Sequence, residues 1–573
     1  MKIVMLALLT LMGNFASGSS YSSSHASSDA LALKSALDEA NSALQSAQGR
    51  SSCPGTDLVV SCGNGVCEPK LGENETTCPS DCVPALIKSY NSQTLCRGIS
   101  HIFQPATVEE VQQIVRGAAA ANQHIRVVGK LHSANEQLCT TGVVISTEKL
   151  DHVLGLESFD GRETVVTEPG ITLYDLGEWL HAKNRSLGYA VIGYHGVSVA
   201  GAAATGSHGS TMKHSDVVSS SVESAWIVGA DGELREYSAL KSDLTTWKAV
   251  RTNLGMLGVV VRIRMRIQPQ FNLHVKATFD SDAKLFARGG VMGLMKKCDY
   301  GLINWFPGTG RIMRSCGMET TKAAEPGAAN MLLDPGFPEY IVKPFKKVLQ
   351  YGACYNWVGC LVERVRYLYF KAVPPFEKMD EFGDLVPTDE TIGPSHRMMS
   401  SVLTEYQKGF FQMDWELAVP YQKAQAALEA VRDLAKKNHL CLPLVGIFLR
   451  FAPAEDATLL AHTVALGEFH KGEPAMFIEM PVYLPTAFSP EQKAKYDHPY
   501  EEFARMLIEK FSARPHWGKN RDWLFKFAQD HDSYGVNLAE FRQTVKKLDP
   551  TGMFMNDWGK YVGFATPATD RQK

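Results

Sequence analysis

The sequence lacks the short motifs that mark the commoner nucleotide and metal enzymes. No G-x-G-x-x-G follows a strand-like run, and neither G-x-x-x-x-G-K-[ST] nor H-E-x-x-H occurs. The usual signatures of a nicotinamide Rossmann enzyme, a P-loop ATPase and a zincin are therefore missing. Charge of one sign is scarce too. Lys and Arg number 58 against 61 Asp and Glu, a formal net charge of −3. No basic face is offered to nucleic acid or an anionic membrane. Apolar runs are short: "IVMLALLTLM" falls well under the ~20 residues a bilayer-spanning helix needs, and no later stretch is long enough. Internal repeats and long charge runs are absent as well.

What is present fits a large globular chain: 573 residues, 45% of them apolar, enough for two or three domains. Residues 1–18 read as a secretory signal, with Lys2, the apolar stretch and the small residues of "ASGSS" in order, so secretion is expected. Residues 19–52 are Ser/Ala-rich; Leu33, Leu37 and Leu44 allow a short amphipathic helix, and a disordered spacer is the alternative. Twelve Cys fit an oxidising compartment. Cys53, Cys62, Cys67, Cys78, Cys82 and Cys96 crowd into residues 53–96, a stretch too poor in apolar residues to form a core without cross-links. A small disulfide module is expected there, and Cys96 can pair inside or outside it. It holds no C-x-x-C and no His among its cysteines, against zinc; Glu68, Glu73, Asn74 and Asp81 are candidates for calcium. Asn74 and Asn184 head N-x-[ST] triplets, the glycosylation pattern.

From residue 97 helices and strands alternate. Thr107 is a candidate N-cap with Glu110 completing a capping box, ahead of the stripe Val108, Val111, Ile114, Val115. "IRVVG", "GVVIS" and "ETVVTEPG" read as strands, "VESAWIVGADGELREY" as a hairpin, "TLYDLGEWLHAKN" as a helix, and "LGVVVRIRMRIQP" as a strand that Pro269 ends. The pattern is α+β, with a first domain over 97–271 and a second over 272–573.

Three loops could carry chemistry. "RVVGKLHSAN" places Gly129 and His132 just after a strand. "GYHGVSVAGAAATGSHGST" sets Gly201, Gly206 and Gly209 among small residues, with Thr205, Ser207 and Ser210 hydroxyls. Glycine lets backbone N–H groups approach a ligand, so this loop suits a pyrophosphate, or is a tightly packed turn that binds nothing. "RPHWGKN" brings Arg514, His516 and Lys519 around Trp517; it is either a charged face for a redox ring or a buried Trp ringed by solvated charges.

These loops, with "CTTGVVIST", "TVVTEPGITLYDL", "NLGMLGVVVRIRMRIQP", "IGPSHRMMSS", "GIFLRFA" and "LDPTGMFMNDW" in order over residues 96–565, resemble the vanillyl-alcohol-oxidase-type (PCMH-type) flavoproteins. Within them the chain is similar to the aldonolactone oxidases, closest to the secreted plant L-gulono-1,4-lactone oxidase-like proteins. The resemblance implies a two-part FAD-binding domain, then an α+β substrate domain whose C-terminal tail returns to the flavin. It implies His132 as the 8α-histidyl attachment point of a covalent FAD. Gly129, Lys130, Leu131 and Ser133 shape the loop, and Gly201, Thr205, Gly206, His208 and Gly209 complete the cradle. Arg450 and Lys519 are implied as cations at the flavin N1–C2=O edge, and His516 as the group that orients the substrate or acts as base. Sugar lactone and O₂ are the implied partners, H₂O₂ and an ascorbate-type product the implied outcome. Two departures stand out. Leu131 occupies a position where many relatives have Gly, and Phe448 stands two residues before Arg450, where E-x-R is usual. The second predicts a missing substrate-binding carboxylate, and with it an altered substrate choice that admits a polyol or oligosaccharide. An inactive secreted binding protein is the remaining alternative.

Overall fold

The computed structural model describes residues 87–565, apart from 92–93, 190–193, 195, 215–216, 333–354, 402–411, 443–445 and 484–489. The expected signal, the spacer, the cysteine cluster from Cys53 to Cys82 and the Asn74 triplet lie outside the described residues. The first domain opens with three parallel strands in the order His101–Phe103, Val143–Ser146, Ile125–Val128. The helix Val108–Ala120 crosses between them and buries Val108, Val111, Val115 and Ala118. Thr107 caps it by accepting from the Glu110 N–H at 3.2 Å. The Glu110 carboxylate reaches back one residue further than expected and accepts from the Ala106 N–H at 2.7 Å.

A five-stranded antiparallel sheet follows, in the order Leu234–Ser238, Val222–Val228, Val259–Arg266, Arg162–Thr167, Val153–Phe159. The hairpin across "GADGE" pairs as its turn residues predict. The expected helix forms at Leu173–His181 with Thr172 as N-cap, burying Leu173, Leu176 and Leu180. Pro269 does not end the preceding strand. That strand stops at Arg266, and Pro269 pairs briefly with Arg185 before a new strand starts at Asn272.

The second domain is built on eight antiparallel strands. Their order is Glu390–Pro394, Asn272–Ser281, Arg311–Thr320, Tyr300–Phe306, Ile447–Pro453, Pro474–Tyr483, Gln412–Val419 and Arg514–Pro515. Strand alternation sorts the side chains by face. Ile447, Leu449, Phe451, Met476, Ile478, Met480, Trp415 and Leu417 share one core with Leu428, Val431, Phe503 and Leu507 of the helices Ala424–Lys437 and Pro490–Phe511. The opposite face carries Phe448, Arg450, Phe477, Glu479, Glu416 and Ala418. A sheet covered on both sides holds ionised groups only where they are paired, and here that face looks toward the first domain.

The C-terminal tail ties the domains together, and disulfides staple segments within each part. The C-terminal tail returns: the Ile125 N–H donates to the Met553 carbonyl at 2.8 Å, and Asn556 Nδ2 donates to the Gln137 and Cys139 carbonyls at 3.0 and 2.9 Å. Disulfides join Cys96–Cys139, Cys298–Cys316 and Cys360–Cys441. Cys96 thus pairs outside the cysteine cluster, onto the loop that follows His132.

That loop turns through Leu131, whose φ is +54°. A left-handed backbone costs a non-glycine residue about 1–3 kcal/mol, which accounts for glycine in relatives. Here the Leu131 side chain packs against Ile87, Cys96, Ile99 and Leu138, offsetting the cost. Substitution separates the two effects. Leu131→Ala and Leu131→Gly both lose the packing, but only glycine regains backbone freedom. We expect the glycine variant to be the more stable by about 1 kcal/mol in denaturant unfolding; equal stabilities would contradict a strained turn.

Candidate functional site

Where the two domains face each other lies a partly open cavity that both domains line. Gly129, Lys130, Leu131, His132 and Ser133 line it from the first loop, Gly201, Thr205 and His208 from the second, and Arg450, His516 and Lys519 from the second domain. Three stretches far apart in sequence thus converge. Gly206 and Gly209 are the exceptions among the expected cradle residues. Gly206, at φ +67°, packs against Ala461, and the Gly209 carbonyl faces His208 Nδ1 at 2.9 Å. They shape the turn behind the lining.

One feature of the cavity fits an anionic dinucleotide, and a second shows how its loops close together. Arg126, 4% exposed, lines it with Nε and Nη1 lacking any hydrogen-bond partner. Burial brings its pKa down to about 10, so the guanidinium keeps its charge and lacks a counter-anion, a costly state unless a ligand such as a phosphate supplies one. A Cβ on Gly129 or on Gly201 would lie 2.2 or 2.8 Å from Ser198 Oγ; the two segments approach closely because neither residue has a side chain.

The charged wall comes from neighbouring strands. Glu479 is the cross-strand partner of both Phe448 and Glu416, and the His516 N–H donates to the Glu416 carbonyl at 3.0 Å. One row therefore carries Phe448, Glu479 and Glu416, with His516 beside it. Arg450 Nη2 donates to Glu416 Oε1 at 2.7 Å and to Glu479 Oε2 at 2.5 Å. Lys519 lies 2.9 Å from Glu416 Oε2 and also bonds Glu479. Phe448 stands where E-x-R would place a carboxylate, and the carboxylates nearest to it in the sheet, Glu479 and Glu416, come from the adjacent strands and pair with Arg450 and Lys519. Burial raises the pKa of Glu416, but Lys519 and Arg450 outweigh it and hold the carboxyl well below its ordinary range. Burial leaves Glu479 raised despite the same two cations. Lys519 stays cationic: burial pulls its pKa down, and Glu416 and Glu479 lift it above the usual lysine value.

His516 is buried, and burial drives its pKa well down, with Lys519 adding to the fall and Glu416 opposing it. Its Nδ1 accepts from the Gly518 N–H at 3.0 Å, so Nε2 carries the proton of the neutral ring. Trp517 is the buried residue of this loop, stacked on Phe525 and Tyr534 and donating to the Leu460 carbonyl at 2.6 Å. Its flanking charges are buried with it. Arg514 serves the fold, donating to the carbonyls of Ser533, Val464 and Leu466.

Sequence reasoning missed Arg126, Glu416, Glu479 and His462. The first three had a signal: each is an ionisable residue inside an otherwise apolar strand, in "HIRVVG", "MDWELAV" and "MFIEMPV". His462 sits in a segment without periodicity. It is fully buried with both ring nitrogens unpartnered, and ring nitrogens of His208, His462 and His516 lie within 4.8 Å of one another. His208 already places Nδ1 against the Gly209 carbonyl and Nε2 3.0 Å from Glu416, and His516 Nδ1 is taken by Gly518. Two of the three rings are therefore committed to hydrogen bonds, which favours a polar cluster over a three-ligand metal centre.

Comparison with known proteins agrees with this geometry. Residues 99–238 match the FAD binding domain family model, and similar solved structures include cholesterol oxidase from Brevibacterium sterolicum, with a TM-score of 0.66 at 13% identity over 83% of this chain and 96% of that one. The molecule is an FAD-dependent oxidoreductase with a PCMH-type flavin-binding fold. Residues 263–562, more than half of the chain, match the D-arabinono-1,4-lactone oxidase family model, and the chain belongs to that family. Relatives include L-gulonolactone oxidase of Mus musculus, 26% identical over 460 residues covering 80% of this chain and 93% of that protein. L-gulonolactone oxidase 2 of Arabidopsis thaliana is 25% identical over 517 residues, covering 82% and 81%.

If Arg126 faces the phosphates, Arg126→Met in a His132→Ala background should weaken FAD binding about 10- to 100-fold, as loss of a charge-assisted hydrogen bond predicts. Flavin fluorescence titration reads this directly, and an unchanged Kd would place the phosphates elsewhere.

Proposed function

We propose that the protein oxidises an aldono-1,4-lactone, L-gulono-1,4-lactone or a near relative such as D-arabinono- or L-galactono-1,4-lactone. The 2-keto lactone formed enolises to an ascorbate-type product; His132 would hold FAD covalently, and with O₂ as final acceptor the second product would be H₂O₂. The observation that carries this reading is the neutral His516 beside two buried cations, on the cavity that the His132 loop and the glycine loop also line. Family membership and the lactone oxidases among its relatives support the substrate class.

When bound, the flavin supplies a two-electron acceptor for the substrate hydride. His516, neutral at physiological pH with Nδ1 taken by the Gly518 N–H, offers its Nε2–H to orient the substrate hydroxyl. Lys519 and Arg450 are fixed by Glu416 and Glu479, so their charges sit ready where negative charge develops and need no reorganisation. Glu416, held anionic, keeps that pair of cations from repelling each other. Gly129 and Gly201 let their two loops close on Ser198 beside the cavity, and Arg126 is the counter-charge for a pyrophosphate. His132 is uncharged: burial, with Lys519 adding to it, brings its pKa to about 3. An imidazole in that state has a free lone pair for a bond to the 8α-carbon. The signal-like residues 1–18, the Asn184 triplet with Asn184 exposed, and three disulfides among the described residues support export to an oxidising compartment and glycosylation.

Two measurements test the reading. Acid precipitation of the purified protein should give a yellow pellet, and His132→Ala a white pellet with yellow supernatant; flavin still fixed in the variant would move the attachment elsewhere. Lys519→Met should retain FAD but lower kcat for the best lactone roughly 10²–10³-fold, the cost of removing one charge-stabilising group. In the same kinetic panel, a polyol or cello-oligosaccharide turned over faster than every lactone would displace the lactone as substrate.

A further inference from the structure

The site described so far leaves the segment before it unexplained. Residues 87–91 and 94–96 belong to a short strap of two antiparallel strands, Ile87–Lys88 and Leu95–Cys96. It is fastened to the His132 loop at four points. The Tyr90 N–H donates to the Leu131 carbonyl at 2.8 Å and Thr94 Oγ1 to the Ala134 carbonyl at 2.9 Å. Cys96 is bonded to Cys139, and Ile87 and Cys96 share an apolar cluster with Leu138 that Leu131 packs against. The strap holds the Tyr90 ring on His132, with centroids 4.1 Å apart and planes 27° apart. From the glycine-rich side Tyr194 meets the same imidazole at 4.5 Å and 32°. His132 thus has two tyrosine rings against it, one carried by the strap and one from the glycine-rich side.

A stack on its ring faces leaves an imidazole only its edge, and the nitrogen lone pair that would form a bond lies in the ring plane. Such packing hinders rotation out of that plane without covering the nitrogen. We propose that Tyr90, carried by the disulfide-stapled strap and assisted by Tyr194, is a positioning residue that holds the His132 ring edge-on for covalent flavin attachment. The inference rests on the covalent link proposed above. Attachment forms one N–C bond to the 8α-carbon. The imidazole N–H and one 8α C–H are lost, and the two electrons pass through the isoalloxazine to O₂, which leaves with the two protons as H₂O₂. The tyrosines take no part in that exchange of atoms. Their contribution is orientation; the Tyr90 O–H reaches Asp414 Oδ2 only at 3.5 Å, the long limit of a hydrogen bond, so a ring without a hydroxyl serves as well. The strap also makes the geometry depend on a disulfide, so a chain with Cys139 unpaired holds Tyr90 less firmly.

The experiment measures the fraction of bound FAD that stays with the acid-precipitated polypeptide in full-length protein, sampled over time after FAD is supplied. Tyr90→Phe should match wild type. Tyr90→Leu keeps apolar bulk but no ring; it should bind FAD, judged by absorbance after gel filtration, yet attach it roughly 2- to 10-fold more slowly, the range expected for loss of an aromatic pair. Cys139→Ser should fall between the two. Attachment in Tyr90→Leu at the wild-type rate would overturn the positioning role while leaving the covalent link standing. A wild-type protein that releases all its flavin to acid would overturn the link, and this inference with it. Unchanged melting of Tyr90→Leu with slowed attachment separates positioning from general loss of structure.

Discussion

The structure turns on a buried group of charges that cannot be taken apart singly. Glu416 has no exposed surface and meets Arg450, Lys519 and His208 at 2.7–3.0 Å. Removing one member of such a group leaves another charge stranded in a low-dielectric interior, at a cost of about 3–5 kcal/mol. Two cations are therefore presented to the cavity in fixed positions, and the neighbouring imidazole of His516 stays neutral. An apolar sheet face would be cheaper to build and would do no chemistry. The second domain places its apolar residues on the helix-covered face and its ionised ones on the face turned to the first domain.

Much of this was legible in the sequence because the responsible signals are local. Thr107 as a cap, the helix over "TLYDLGEWLHAKN" and the Asp231-Gly232 turn depend on neighbours a few residues away, and they read correctly. The three loops were legible as types: a His after a strand, glycines among small residues, and cations around a tryptophan. The E-x-R departure was read in one dimension only. Phe448 at that position signals a lost carboxylate along the strand. Strand pairing, which no single segment encodes, brings Glu479 opposite it and Glu416 one strand further on. The same limit hid the pairing of Cys96, whose partner is 43 residues away. Pro269 was misread because a proline can sit in a brief edge pairing without ending the strand before it.

Leu131 shows how strain and packing trade against each other at such a site. Its left-handed turn aims the following residue, His132, into the cavity, and its side chain joins the cluster that anchors the strap. A glycine would make the same turn and hold nothing. This chain takes the costlier residue where an additional segment lies across the loop.

The contacts between the His132 loop and the end of the chain have a consequence in time. The Ala134 N–H donates to the Gly518 carbonyl, Asn135 Nδ2 to those of Trp517 and Lys519, and Asn556 returns to Gln137 and Cys139. During synthesis the first loop leaves the ribosome some four hundred residues before the segment that closes it. Until then the cofactor chamber lacks a wall, and Arg450, His516 and Lys519 have not been made or have not met. The polypeptide must wait colourless through most of its translation, and whatever shields its half-built interior in that interval is a requirement for making the enzyme.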